Sequence, residues 1–445
     1  MGKMTFMGAG SAVFARNVMG DMMLCESLRD FELALYDIDA ERLEESYIMI
    51  DALNKNINEG RAKITKHLGI PNRKEALRGA NFVVDAIQVG GYEPCTVTDF
   101  EIPKKYGLRQ TIADTLGIGG IFRALRTIPV LEGFAEDMDA VCPNAWFLNY
   151  TNPMAMLAGY MQRYTPIKTV GLCHSVQVCA RGLLNTLGIE YKEPIRERIA
   201  GINHMGWLLE IEDADGNDLY PEIRRRAIAK LEEELAKGNS TFGDLTRYEY
   251  IRRFGYYCTE SSEHNSEYNA WFRKRQELID TYVPDSYAAS VKIITDRTAK
   301  RDAEMEKILA QDSISLARGA EYASGILNAI IGDGTIFEFH GNVPNTGLIP
   351  NLPEDAIVEV TVYATRHGMR PAHVGNLPRH LAALNTVNAQ CETLAVDGLM
   401  ACDREMIFHA ILNDPLTAAV CSLAEIRAMT EEMFEANRED LPMFH

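Results

Sequence analysis

The chain has 445 residues, of which 47% are hydrophobic and 24% charged, and its formal net charge is -18. This composition is that of ordinary globular proteins, and the length allows two or three domains. The negative charge argues against nucleic-acid partners and anionic membranes, and no apolar run approaches the roughly 20 residues of a membrane span. The nine cysteines show no paired spacing, and the N-terminus lacks a signal-peptide layout. Both features favour reduced thiols and a cytoplasmic protein.

The N-terminal region has the arrangement of a dinucleotide-binding domain. A buried strand, a glycine turn, a helix, a second strand and an acidic residue are predicted in this order: Lys3–Met7, Gly8 to Ser11, Ala12–Cys25, Phe31–Tyr36 and Asp37. Glycines in such a turn let the backbone approach a pyrophosphate at a helix N-terminus, and the acid accepts hydrogen bonds from ribose hydroxyls.

We therefore predict an NAD site at Gly8, Gly10, Ser11 and Asp37, although the third glycine of the usual motif is missing. A carboxylate would repel a 2′-phosphate, so Asp37 favours NAD over its phosphorylated form. Asp39 could share or replace this role.

Three further segments continue the predicted cleft. The apolar strand Asn81–Ile87 opens into a loop at Gln88, which we expect on the nicotinamide side of the cofactor. The glycine-rich stretch Thr111–Gly120 is either a flexible connection or a lid or second anion contact, and we assign its Asp114 to substrate binding.

The strand Trp146–Tyr150 carries Asn149 at its end and is followed by Asn152. Amide side chains suit sugar hydroxyls because they both donate and accept, but simple turn and cap chemistry would use the same residues.

A cysteine and a histidine follow two later apolar runs. Cys173 and His174 come directly after the predicted strand Val170–Leu172, and His204 follows Arg198–Ile202. A thiolate and an imidazole delivered to one cleft would make a half-shell for a divalent transition metal. Either residue alone is more often an ordinary core or surface residue.

The second half is predicted to be a mixed α/β lobe that covers the cleft and supplies an oligomer surface. Its densest segment, Tyr256–Trp271, contains Glu260, Ser261, Glu263, His264 and Tyr268. The other predicted elements are a strand Trp207–Glu212, a helix through Lys237, a largely helical stretch Ala288–Ile330, a loop Gly341–Pro353, a strand Ile357–Tyr363, a helix Pro378–Met400 and a helical stretch His409–Asn437.

The segments TFMGAGS, YDID, IQVGGYEP, ADTLGIGG, NYTNPM, GLCHS, GINHM and TESSEH occur in one order, and in this the chain resembles glycoside hydrolase family 4 and, within it, the α-galactosidases. The resemblance covers most of the chain. It implies a lactate/malate-dehydrogenase-like Rossmann domain, which we place at 1–172, and an α/β substrate domain at 173–445. It also implies NAD, a divalent cation (usually Mn²⁺) and a homodimer or homotetramer.

The mechanism implied by the resemblance is the NAD-dependent exception among glycosidases. NAD takes a hydride from carbon 3 of the sugar, a base removes the acidified proton from carbon 2, the aglycone leaves, water adds and the hydride returns. By residue-wise transfer, Cys173 and His204 are metal ligands, His174 is the acid on the leaving group and Asn149 binds sugar. The base position of relatives falls on Ser261, which is a poor base by itself.

The sequence leaves several alternatives open. Glu260, Glu263, His264 or a water on the metal could act as the base in place of Ser261. Thr96 stands where phospho-glycosidases carry a phosphate-binding arginine, which argues for an unphosphorylated α-galactoside. The rivals are an α-glucosidase, an α-galacturonidase and a true lactate/malate-type dehydrogenase. An α-galacturonidase would need a cationic contact for the sugar carboxylate, which Lys104, Arg123 or Arg126 could supply.

Overall fold

A single sheet runs through the described part of the chain. Its strands are β1 Lys3–Met7, β2 Glu32–Asp37, β3 Lys63–Leu68, β4 Phe82–Asp85, β5 Trp146–Asn149, β6 Lys168–Gly171, β7 Arg196–Ile202, β8 Met205–Glu212, β9 Tyr257–Cys258, β10 Phe337–Pro344, β11 Ile357–Thr365 and β12 Gly368–Pro371. Their order is β3-β2-β1-β4-β5-β6-β10-β11-β7-β8-β9, with β12 paired to β11. The structure is a computed structural model that describes residues 2–238, 240–284, 286–289, 291–292, 319 and 321–444.

Helices connect the strands on both faces. They are α1 Ala12–Met23, α2 Ala40–Asn58, α3 Ile70–Leu77, α4 Val97–Lys105, α5 Gly117–Val141, α6 Met154–Tyr164, α7 Ser175–Thr186, α8 Tyr220–Ala236, α9 Leu245–Phe254, α10 Ser262–Glu267, α11 Gln276–Tyr282, α12 Tyr322–Ile331, α13 Arg379–Met400, α14 Arg404–Asn413, α15 Pro415–Val420 and α16 Leu423–Ala436.

The first six strands form the predicted nucleotide-binding half. They are parallel and lie in the order 3-2-1-4-5-6, which is that of the Rossmann fold. Every residue of β4 is buried, as expected for an inner strand covered by helices on both faces. The predicted α/β class and Rossmann-like half are therefore confirmed. The predicted domain boundary between residues 172 and 173 stays a prediction.

The second half extends the same sheet with antiparallel strands. One row of paired residues crosses the junction: Gly171 of β6 faces Asn342 of β10, Asn342 faces Glu359 of β11, and Glu359 faces Gly201 of β7. Two of these four positions are glycines. A Cβ at Gly201 would lie 2.4 Å from the Met205 carbonyl oxygen, so only glycine fits there without a shift of the backbone.

The hydrophobic core forms separate layers around the sheet. One cluster of buried residues includes Val18 and Met22 of α1 and Trp207 of β8, and a second includes Phe122 of α5 and Phe434 of α16. A third cluster lies among α7, α8, α9 and the β7–β8 hairpin. The strands of the sheet are thus held in place by apolar packing on both faces of the sheet.

One secondary-structure expectation was wrong. The predicted loop Gly341–Pro353 begins instead inside β10, which runs to Pro344. The predicted helical stretch His409–Asn437 is helical, and it consists of the end of α14 followed by α15 and α16. It is interrupted because the Asp414 side chain caps α15 ahead of Pro415, which has no N–H to donate, and because Ser422 opens a capping box with Glu425.

The predicted helical stretch Ala288–Ile330 is described only in part. Its residues 290, 293–318 and 320 lie outside the described residues, and its last part forms α12.

The Gly201→Ala substitution is expected to destabilise the protein by about 1–3 kcal/mol, because the new methyl group would overlap backbone atoms. Gly182→Ala is the matched control. No heavy atom lies within 4 Å of a Cβ built at Gly182, which is exposed inside α7, so alanine should stabilise the helix by about 0.5–1 kcal/mol. Urea unfolding monitored by circular dichroism measures both changes. Equal free energies of unfolding for the two variants would contradict this account of the junction.

Candidate active site

Three potential metal ligands converge at the strand ends. Cys173 follows β6, His204 lies in the turn between β7 and β8, and Glu260 lies between β9 and α10. One ligand atom from each of the three lies within 4.8 Å of the other two. Within the described residues this is the one such group of His, Cys, Asp or Glu side chains. The structure thus brings together the predicted pair Cys173 and His204 and adds Glu260, which the sequence analysis had placed among the catalytic candidates.

The charge of this cluster favours a cation. His204 is 3% exposed. Burial alone would lower the pKa of its imidazole, but the adjacent Cys173 and the carboxylate of Glu260 outweigh burial and raise this pKa to about 10. Thiolate, imidazole and carboxylate are also donors that suit a divalent transition metal. The residues therefore fit a divalent metal.

The Nδ1 atom of His204 contacts two hydroxyl groups. It lies 3.2 Å from the Thr115 hydroxyl and 3.1 Å from the Tyr268 hydroxyl, while Nε2 lies 3.4 Å from a Glu260 oxygen. A metal-ligating histidine usually has its second nitrogen fixed by such an outer partner. The orientation of His204 is therefore that of an Nε2 ligand.

The glycine turn forms a cradle beside β1 and β2. Gly8 has φ 83°, and a Cβ there would lie 2.5 Å from the Ala86 carbonyl oxygen. The Gly10 N–H donates to the Asp37 carboxylate at 2.6 Å. Ser11 precedes α1 and makes no side-chain cap, which leaves the helix N-terminus available to an anion. These four residues fit the pyrophosphate and ribose of a dinucleotide.

His174 links this cradle to the metal-ligand cluster. The ring of Phe14, in the first turn of α1, lies 4.7 Å from the Tyr150 ring and 6.0 Å from the His174 ring, measured between centroids. Nε2 of His174 lies 2.8 Å from a Glu321 oxygen, and this hydrogen bond raises the pKa of His174. The start of α1, which follows the glycine turn, therefore lies close to His174 and its neighbour Cys173.

The predicted sugar-binding residues lie in different environments. Asp114 accepts from the Thr115 hydroxyl at 2.8 Å and from the Asn152 amide at 3.4 Å, which joins both residues to the His204 side of the cleft. Asn149 is fully buried, and its amide donates to the Thr151 carbonyl at 2.9 Å. Its side chain is engaged in the local turn that the sequence analysis had considered as the alternative.

Gln88 follows the end of β4. Its amide donates to the Thr96 hydroxyl at 3.2 Å, and Arg123 donates to the same hydroxyl at 3.2 Å. Gln88 is exposed at the end of the sheet, which is compatible with its predicted contact to the cofactor.

The candidates for the base surround Glu260. Ser261 is the N-cap of α10, and its hydroxyl accepts from the His264 N–H at 3.4 Å. His264 Nε2 lies 3.8 Å from a Glu260 oxygen, and its ring centroid lies 4.8 Å from that of His204. The roles of Ser261, Glu260 and His264 stay predictions.

Sequence reasoning gave no role to three residues that contact the predicted ones: Thr115, Tyr268 and Glu321. The Tyr268 hydroxyl contacts both His204 and His264. Its spacing of four from His264 places both residues on one face of a helix, and this was the available signal. Nothing in the sequence marked Thr115 or Glu321 as partners of His204 and His174.

Membrane-spanning helices and disulfide bonds are both absent from the described part of the chain. In the part of the chain that the structure describes, no helix combines the length and apolarity that crossing a membrane requires. All nine cysteines lie in that part, and all are free thiols.

Comparison with known proteins gives two family matches. The sequence model of "Family 4 glycosyl hydrolase" matches residues 3–189, and that of its C-terminal domain matches residues 199–417. The chain is 50% identical to an α-galactosidase of Bacillus subtilis over 449 residues, with 100% of both chains covered. It is 32% identical to an α-galactosidase of Rhizobium meliloti, covering 99% of this chain and 89% of that one. Relatives at 26 to 29% identity include α-galacturonidases and an α-glucosidase.

The fold also matches a solved structure. A 6-phospho-α-glucosidase from gut microorganisms, in complex with NAD and Mn²⁺, superposes with a TM-score of 0.81 at 22% identity, covering 99% of both chains. The two family matches together span most of the sequence, and the chain therefore belongs to the family 4 glycosyl hydrolases.

Proposed function

We propose that the protein is an α-galactosidase that hydrolyses terminal, unphosphorylated α-galactosides with the help of NAD and a divalent cation such as Mn²⁺. The observation that carries this proposal is the 50% identity, along the whole chain, to an α-galactosidase. The cluster Cys173, His204 and Glu260 beside the glycine turn supports the cofactor requirement.

The residues that would hold the cofactors follow from the geometry of the cleft. Gly8, Gly10, Ser11 and Asp37 would bind NAD, with Gln88 on its nicotinamide side, and Cys173, His204 and Glu260 would hold the metal. When bound, NAD supplies a reversible hydride acceptor and the divalent cation supplies a Lewis acid for the sugar oxygens.

The side chains of the cleft would act on the sugar itself. His174 would donate a proton to the leaving-group oxygen, since Glu321 both orients its ring and favours its protonated form. Asp114 and Asn152 would contact sugar hydroxyls, whereas the buried Asn149 would hold the turn that follows β5. The proton on carbon 2 would be taken by Glu260, His264 or Ser261.

An α-galacturonidase is the second candidate, because Arg123 could bind a sugar carboxylate. Of the three cations considered, Arg126 is held in a buried bidentate ion pair with Asp99, at 3.0 and 2.6 Å. Lys104 pairs with Glu101 and lies over the Tyr287 ring. Arg123, which donates to Thr96 and interacts with Asp114, is the remaining one that borders the cleft.

We further propose a cytoplasmic homodimer or homotetramer. Nine free thiols support a reducing compartment. The oligomeric state rests on the resemblance to the family.

Hydrolysis of p-nitrophenyl α-galactoside is expected only when NAD, Mn²⁺ and a thiol reductant are all present. NAD should be regenerated in each turnover, so no NADH should accumulate at 340 nm. A panel with the corresponding α-glucoside and α-galacturonide, assayed with wild-type and Arg123→Gln protein, separates the rival substrates. Hydrolysis without NAD, or stoichiometric NADH, would exclude the proposed reaction.

The Cys173→Ser substitution is expected to abolish hydrolysis while NAD still binds, since the glycine turn is untouched. The loss of activity should exceed the roughly 10–100-fold that removal of an outer-sphere partner costs a metal site. Calorimetry of NAD binding and the p-nitrophenyl assay measure the two effects. Cys402→Ser, at an exposed thiol, is the control and should change neither. Full activity of Cys173→Ser would remove this residue from the metal site.

The His174→Asn substitution is expected to slow melibiose hydrolysis by about 100- to 10,000-fold, which is the usual contribution of a general acid. Hydrolysis of p-nitrophenyl α-galactoside should fall much less, because p-nitrophenolate leaves without protonation. Glu321→Gln should also slow melibiose hydrolysis more than hydrolysis of p-nitrophenyl α-galactoside. The effect should be smaller than that of His174→Asn, since only the partner of His174 is removed. Equal losses for both substrates would contradict the acid role.

A further inference from the structure

One tyrosine hydroxyl connects two imidazoles of the cleft. The hydroxyl of Tyr268 lies 3.1 Å from Nδ1 of His204 and 2.6 Å from Nδ1 of His264. Tyr268 is fully buried, and a phenolic hydroxyl has one proton to donate. It can therefore donate to only one of the two rings.

The direction of this donation is fixed by Thr115 and Asp114. The Thr115 hydroxyl donates to the Asp114 carboxylate at 2.8 Å, and it also lies 3.2 Å from Nδ1 of His204. A hydroxyl that has given its proton to a carboxylate can only accept from a second partner. Nδ1 of His204 must therefore carry a hydrogen, which it shares between the oxygens of Thr115 and Tyr268.

The proton of Tyr268 is then left for His264. Because the Tyr268 oxygen accepts from His204, its O–H points to Nδ1 of His264, in agreement with the short distance of 2.6 Å. An imidazole that accepts at Nδ1 carries its one hydrogen on Nε2. That Nε2 faces a Glu260 oxygen at 3.8 Å.

We propose that Tyr268 is a positioning residue that fixes the tautomers of His204 and His264 in opposite senses. It holds the lone pair of His204 on Nε2, where a metal ligand needs it, and it makes the cleft-facing nitrogen of His264 an N–H donor. In this arrangement His264 does not take a proton through Nε2, and Glu260 faces an N–H rather than a lone pair on this side. The proposal rests on the proposed metal site and extends it to residues that do not touch the metal.

Mn²⁺ affinity, measured from the electron paramagnetic resonance signal of the free ion, tests the effect on His204. Tyr268→Phe should weaken Mn²⁺ binding by about 10–100-fold, as for other outer-sphere partners. Tyr250→Phe is the matched control. Tyr250 is also fully buried, but its hydroxyl donates to the Asn265 carbonyl at 3.0 Å rather than to an imidazole. An equal loss of affinity in both variants would reduce Tyr268 to a structural residue.

A second pair of variants tests the directional step. Thr115→Val removes the hydroxyl that orients the network, whereas Thr115→Ser keeps it. The valine variant should lose Mn²⁺ affinity and the serine variant should retain it. Equal affinity of the valine variant and the wild type would overturn the argument for direction.

The tautomer of His264 can be read directly from imidazole ¹⁵N chemical shifts. Wild-type protein labelled at histidine, with diamagnetic Mg²⁺ in place of Mn²⁺, should show His264 with a hydrogen on Nε2 and none on Nδ1, with assignment by His264→Gln. This measurement needs no variant of Tyr268, so it still decides if Tyr268→Phe does not fold. A hydrogen on Nδ1 of His264 would overturn the proposal.

The outcomes separate this inference from the proposed function. The expected tautomer without any α-galactosidase activity would leave the positioning role standing and remove the substrate assignment. NAD-dependent galactoside hydrolysis with the opposite tautomer would remove the positioning role alone.

Discussion

The site depends on the row of residues that joins the two halves of the sheet. Gly171, Asn342, Glu359 and Gly201 lie side by side on four neighbouring strands. Asn342 donates to Glu359 at 3.2 Å within this row. The row fixes the separation of the ends of β6 and β7, and the residues just beyond those ends are the candidate ligands. Small residues at both outer positions let the strands approach, because a Cβ at Gly171 would lie 2.9 Å from the Asn342 Cβ.

The nucleotide-binding half could be predicted from the sequence because its signals are local. The glycine turn and Asp37 are 27 residues apart and lie within one βαβ unit. The contacts of the candidate site are of another kind. Tyr268 and His204 are separated by 64 residues, and the segments that carry them meet only through the second half of the sheet. No periodicity or motif specifies such a contact.

The same distinction explains why the end of β10 was predicted as a loop. The end of β10 lies within a stretch rich in glycine, asparagine and proline, which is typical of loops. It becomes a strand because β11 supplies a full antiparallel partner from Pro344 to Phe337. The predicted C-terminal helical stretch has helical apolar spacing throughout, and the capping side chains that divide it into separate helices act through single hydrogen bonds. Tertiary pairing and local caps each outweighed the pattern.

Buried charge makes the site and the fold depend on each other. Burial raises the pKa of Glu359 to about 7 and that of Glu392 to about 8, and the charge of His204 acts against both shifts. A buried carboxylate is unfavourable unless a cation or hydrogen bonds compensate it. A divalent cation among Cys173, His204 and Glu260 would supply such compensation for every acid around it. Its binding would therefore stabilise the sheet junction as well as serve the chemistry, because metal affinity for the folded state adds to the free energy of unfolding.

Two of the three candidate metal ligands, His204 and Glu260, lie in strained backbone conformations. His204 has φ 60° and Glu260 has φ 66°, in the left-handed region that glycine occupies more easily. Such a conformation costs about 1–3 kcal/mol for a residue with a side chain, and it persists where the surroundings impose it. The hairpin from β7 to β8 imposes it on His204, and the start of α10 imposes it on Glu260. Glycine would relieve the strain in both turns, but it would remove two of the three atoms that converge within 4.8 Å. The strained turns are therefore best explained by the side chains that they direct into the cleft.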